Sequence, residues 1–83
     1  MAAENRLTAD QLAALAPSDP VVIETRGDFR RPRRSPGTVV RFTGSHIVVS
    51  CCSPRGVTYL PEFGRRDGVS VGGARRSELV DPR

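Results

Sequence analysis

The chain has 83 residues and a formal net charge of +4, from thirteen basic and nine acidic side chains. A chain this short makes one small domain with a marginal core and little room for a deep substrate cleft. No apolar run approaches the roughly 20 residues needed to cross a bilayer, and the opening "MAAENR" lacks the basic and apolar regions of a signal peptide, so a cytoplasmic protein with no membrane partner is expected.

Charge is unevenly spread. Residues 1–25 carry −3, residues 26–76 carry +8 with eleven arginines, and residues 77–83 carry −1. Every basic residue is arginine. Arginine suits bidentate contact with phosphate or carboxylate. A GC-rich genome would account for the missing lysine, but not for the clustering.

In chain order, "LTADQLAALAP" predicts a short helix. Thr8 can cap it and Gln11 can reach back, the pattern of a capping box, while Leu7 and Leu12 form the matching hydrophobic staple. Pro17 marks the stop. Two turns do not persist alone, so Leu12 and Leu15 are expected to dock the helix on the rest of the domain. This divides the chain into an arm with the helix, 1–19, and a β domain, 20–83.

"VVIETR" (21–26) is rich in β-branched residues and predicts a strand. The stretch "FRRPRRSPG" (29–37) follows, with four arginines in nine residues, and is expected to be an exposed loop stiffened by Pro32 and Pro36. Its nearest carboxylate in sequence is Asp28. "TVVRFT" (38–43) and "HIVVSCC" (46–52), separated by Gly44-Ser45, predict a β-hairpin. Alternation puts Val40 and Phe42 on one face with Arg41 on the other, and puts Ile47, Val49 and Cys51 on one face.

Ser53-Pro54-Arg55-Gly56 suits a type I turn. In "VTYLPEF" (57–63), Pro61 cannot donate to a ladder, so this strand lies at an edge or breaks there. "GRRDG", "VSV" (69–71) and "ARRSELV" complete the chain as a turn and two short elements. The expected core draws on Leu12, Leu15, Val21, Ile23, Val40, Phe42, Ile47, Val49, Val57, Tyr59 and Phe63. About five short strands with tight turns predict a mostly β fold, a small barrel or strongly bent antiparallel sheet, preceded by one short helix.

"PGTVVRFTGSHIVVS" and the later "FGRRDGVSVGG" resemble stretches of small uncharacterised proteins of actinobacteria and their phages. The first is also similar to the opening hairpin of KOW-type and other Src-homology-3-like barrels. The resemblance covers residues 36–73 and implies a small barrel. KOW-type barrels often contact RNA, ribosomes or transcription machinery, but no functional residue carries over.

No catalytic constellation is evident. His46 is the single histidine, and no nucleophile elbow, phosphate-cradling loop or metal-ligand spacing is present. Cys51 and Cys52 are strand neighbours that point to opposite faces, which disfavours a shared metal or a disulfide. The chain is therefore expected to be no enzyme, with no cofactor and no metal. Binding of a polyanion is the leading expectation. The arginine pairs Arg30-Arg31, Arg33-Arg34, Arg65-Arg66 and Arg75-Arg76 fall in or beside turns, where a small barrel could gather them into one patch for DNA or RNA. Phe29 stands beside them, and Tyr59 is a further candidate for stacking on bases. The alternative is a protein-interaction module whose arginines meet an acidic protein surface, such as a phage-encoded protein that binds a host factor. The N-terminal helix or an edge strand would offer a contact between copies of the chain.

Overall fold

The computed structural model describes residues 6–26, 31–53, 55–72 and 76–81. A helix, α1 (Ala9–Ala13), precedes β1 (Pro20–Thr25), β2 (Arg33–Phe42), β3 (His46–Cys52), β4 (Thr58–Tyr59), β5 (Glu62–Gly64) and β6 (Ser77–Val80). The strands pair antiparallel in the order β4-β3-β2-β1-β6, with β5 also paired to β3. The fold is a small, mostly β domain with one short helix. Its paired strands do not close into a barrel: β5 and β6 are linked through the isolated bridges Phe63↔Ser70 and Val69↔Glu78. No helix among the described residues is long and apolar enough to cross a membrane.

The helix starts as its sequence dictates. The Gln11 N–H donates to Thr8 Oγ1 at 3.2 Å, and the Thr8 N–H donates to Gln11 Oε1 at 2.8 Å. It ends before Pro17, because Asp19 turns back and its Oδ2 accepts from the Ala16 N–H at 2.8 Å. Leu12 is buried in the same core as the sheet residues, and Leu7 and Leu15 pack against that core. Gly68 makes this docking possible. Its backbone is left-handed (φ +68°), and a Cβ there would lie 3.2 Å from Leu12 Cδ2.

The core comprises Leu12, Val21, Ile23, Val39, Ile47, Val49, Cys51, Phe63 and Leu79, with Val48 and Val80 also buried. Fully burying a side chain such as Ile47 or Phe63 stabilises by about 1.5–3 kcal/mol. Three expected core residues lie outside it. Val40 is exposed because β2 bulges there: Val39 pairs with Val49 and Arg41 with Val48, leaving Val40 without a partner. The extra residue resets the alternation, so Val39 takes the inward place and Phe42 is only half-buried. Val57 and Tyr59 are exposed because the segment breaks at Pro61, leaving β4 two residues long at the sheet edge. β6 supplies Leu79 and Val80 in their place.

The arginine-rich stretch differs from its expectation as well. Arg33 to Gly37 form not a loop but the first half of β2, paired with β1 from Thr25↔Arg33 to Val21↔Gly37. Pro36 is accommodated opposite Val22 because β3 pairs with β2 only from Gly37 onward, so one side of β2 needs no donor there. The β2–β3 hairpin turns at Gly44-Ser45, where the Thr43 N–H donates to the His46 carbonyl at 2.9 Å.

Candidate nucleic-acid interface

Antiparallel pairing aligns three strands at one end of the sheet. Glu24 on β1 stands between Glu78 on β6 and Arg34 on β2, and Thr25 in the next row stands between Ser77 and Arg33. Cross-strand partners share a face and neighbouring rows alternate. The two glutamates therefore lie side by side, and both are buried.

Arginines surround them. Arg34 Nε is 3.5 Å from Glu24 Oε1, Arg26 is 3.6 Å from Glu24 Oε2, and Arg76 Nε is 3.3 Å from Glu78 Oε1. The Arg26 N–H also donates to the Arg76 carbonyl at 3.4 Å, which brings the ends of β1 and β6 together. Asp28, the nearest carboxylate in sequence, lies outside the described residues. Glu24 and Glu78 meet the arginines from positions that only the strand register makes adjacent.

Arg31 and Arg33 behave differently. Both are exposed, and no ion pair holds either of them among the described residues. Arg33 shares a sheet face with Thr25 and Ser77, whose hydroxyl oxygens are 2.9 Å apart. Phe29, Arg30 and Arg75 lie outside the described residues.

Arg65 and Arg66 stand elsewhere. Arg65 Nη1 donates to the Thr43 carbonyl at 3.0 Å, and its guanidinium lies over the Phe42 ring, 5.2 Å from the centroid. Both contacts fix it at the hairpin end of β2. At a rise of about 3.3 Å per residue, that end is roughly 30 Å along the strand from Arg33. The described members of the arginine pairs therefore form two clusters at opposite ends of β2, where one patch was expected. A cleft of about 670 Å³ beside the second cluster is lined by Ser45, His46, Arg65, Arg66 and Asp67 among others. His46 Nδ1 lies 3.4 Å from Glu62 Oε1 across the β3–β5 pair.

A narrower groove of about 290 Å³ opens between the β4–β5 segment and the ends of β6 and β1, bordered by Ile23, Thr25, Tyr59, Pro61, Val71 and Ser77. Tyr59 and Val71 are about half exposed (46% and 50%). The Cys51 thiol donates to the Tyr59 hydroxyl at 3.3 Å. That hydrogen bond, assisted by partial burial, pushes the phenol above its usual value of 10.0, so the ring stays neutral in ordinary buffers. Cys51 is buried and Cys52 exposed, as opposite faces of a strand require. No group of three or more His, Cys, Asp or Glu among the described residues is placed to hold a metal ion.

Sequence reasoning missed three features: the Glu24–Glu78 row, the place of Arg26 beside it, and the groove wall formed by Val71. "VVIETR" does carry a signal for the first, a glutamate inside a β-branched run, but its partners come from strands distant in sequence. Compared with protein-family models, with curated proteins and with solved structures, the chain matches none.

Proposed function

We propose that this protein is a non-enzymatic small binding module of the cytoplasm that associates with nucleic acid, DNA or RNA, through the arginine-bearing end of β1, β2 and β6. One observation carries the reading. Arg31 and Arg33 are exposed and unpaired among the described residues, while the arginines next to them already have carboxylate partners. Charges held apart from any internal partner contribute little to folding, yet they attract phosphate and release its counterions. Arg65 and Arg66 would extend the surface at the far end of β2, and Phe29, Arg30 and Arg75, which lie outside the described residues, are proposed to contribute to the same binding.

A Src-homology-3-like arrangement of the strands would accompany this function. Its support is a run of backbone hydrogen bonds across the gap between β5 and β6, from Gly64 N–H to Val69 O, Val71 N–H to Glu62 O, and Ser70 N–H to Ser77 O.

The test is a titration of labelled DNA and RNA at about 50 and 200 mM salt, where phosphate contacts differ most in strength. The double variant Arg31→Ala/Arg33→Ala is expected to fold normally, to bind several-fold more weakly at the lower salt, and to show a shallower salt dependence. Absence of binding to either nucleic acid at the lower salt would overturn the proposal. The second reading, a protein-interaction module, would then take its place, and exposed Val57, Tyr59 and Leu60 along the edge strand β4 favour it.

A further inference from the structure

The groove at the ends of β1 and β6 brings together an aromatic ring, a pair of hydroxyls and a neighbouring arginine. Its wall carries Tyr59, the chain's single tyrosine, with the ring about half exposed. A hydroxyl pair, Thr25 and Ser77, borders it, and each hydroxyl can turn to donate or accept toward a polar edge. Arg33, the cross-strand partner of Thr25, stands next in the same row with its guanidinium exposed. Val71 supplies a second apolar surface.

We infer that this groove takes an unstacked base of a single-stranded nucleic acid, with Tyr59 as stacking platform and Arg33 on the adjoining phosphate. The inference rests on the proposed association with nucleic acid and narrows it to single strands. A groove of about 290 Å³ lies at the lower limit for ligand sites, which suits one flat ring rather than an elaborate small molecule. A base inside a duplex is already stacked on both faces and cannot offer one to Tyr59, whereas a base in a single strand can. Charge also favours this occupant. Arg33 beside the groove has no ion-pair partner among the described residues, and the one carboxylate lining the groove, Glu62, lies 3.4 Å from His46 Nδ1. The two buried glutamates lie on the opposite face of the sheet. The neutral Tyr59 phenol adds no charge to repel phosphate.

Tyr59 also makes the test direct. The chain has no tryptophan, so tyrosine emission, corrected for oligonucleotide absorbance, reports on the groove alone. Labelled twelve-residue oligothymidine, the matching oligouridine and a DNA duplex of equal length would be titrated against the full chain and against Tyr59→Leu, Tyr59→Phe and Val71→Ser. The single strands are expected to quench emission on binding. Tyr59→Leu keeps bulk but loses the aromatic face, and should weaken single-strand binding about five- to a hundredfold. Tyr59→Phe should keep the affinity within about twofold, Val71→Ser should lose several-fold, and duplex binding should stay unchanged in all three. Preference between oligothymidine and oligouridine distinguishes DNA from RNA as the occupant. If single strands bind yet emission stays constant and both Tyr59→Leu and Val71→Ser bind as the parent does, the groove assignment is overturned and the arginine surface alone stands. If no single strand and no duplex binds, the underlying reading fails with it.

Discussion

Glu24 is the residue on which the basic end of the domain depends. Its carboxylate is buried, one oxygen lies 3.5 Å from Arg34, and the other accepts no hydrogen bond although Arg26 is 3.6 Å away. Taking a carboxylate out of water is costly unless a counter-charge stays with it. Arg34→Ala should therefore cost about 1–3 kcal/mol in urea unfolding, a figure kept modest because the Arg34 side chain is itself 41% exposed. Arg33→Ala, one residue away on the other face, should change stability by less than about 0.5 kcal/mol. Adding Glu24→Gln to Arg34→Ala should recover part of the loss, since the uncompensated charge then disappears. Equal losses from Arg33→Ala and Arg34→Ala would contradict the separation of the two arginines into structural and exposed roles. Composition alone cannot make this distinction, because both belong to one run of arginines.

Among the elements, α1 was legible in detail because its information is local: Thr8, Gln11, Leu7 and Leu12 lie within six residues of one another. The β2–β3 hairpin and the break at Pro61 were legible for the same reason. The length of β2 was not. Two prolines and four arginines read as loop, and only pairing with β1 turns Arg33 to Gly37 into strand. The bulge at Val40 left no trace either, because Val39 and Val40 are chemically identical and only the partner strand decides which faces inward. Gly68 offers a test of how tightly the helix is held. With φ at +68° and Leu12 Cδ2 3.2 Å from the place of a Cβ, Gly68→Ala should destabilise by about 1–3 kcal/mol. Thermal melts of this variant and of Leu12→Ala should show losses that do not add, because the two residues are in contact.

For the molecule as a whole, the division of arginines between two ends of β2 sets a length dependence. A short oligonucleotide can touch Arg31 and Arg33 or Arg66, but not both ends roughly 30 Å apart along the strand. Arg66→Ala should leave the affinity for a four-nucleotide single strand unchanged and weaken that for a twenty-nucleotide strand about two- to fivefold at low salt, measured by fluorescence anisotropy. Equal effects at both lengths would mean that the two clusters do not serve one ligand. Of the candidate site, the sequence displayed the arginines and Tyr59 but not their grouping. Grouping depends on strand order, in which β6, last in the chain, lies beside β1, nearly the first.

The bridges between β5 and β6 have a mechanical consequence. A folded protein opens locally where its pairing is least extensive, and the seam through Val69, Ser70 and Val71 is joined by isolated bridges rather than by a paired strand. The amides of Ser70 and Val71, which donate to Ser77 and Glu62, should exchange with solvent deuterium well before those of Ile47 and Val49 in the buried middle of β3. The groove lies across the same seam, with Tyr59 and Pro61 on one bank and Thr25 and Ser77 on the other. Whatever settles there splints the two banks together, and slowed exchange at Ser70 and Val71 would be the mark it leaves.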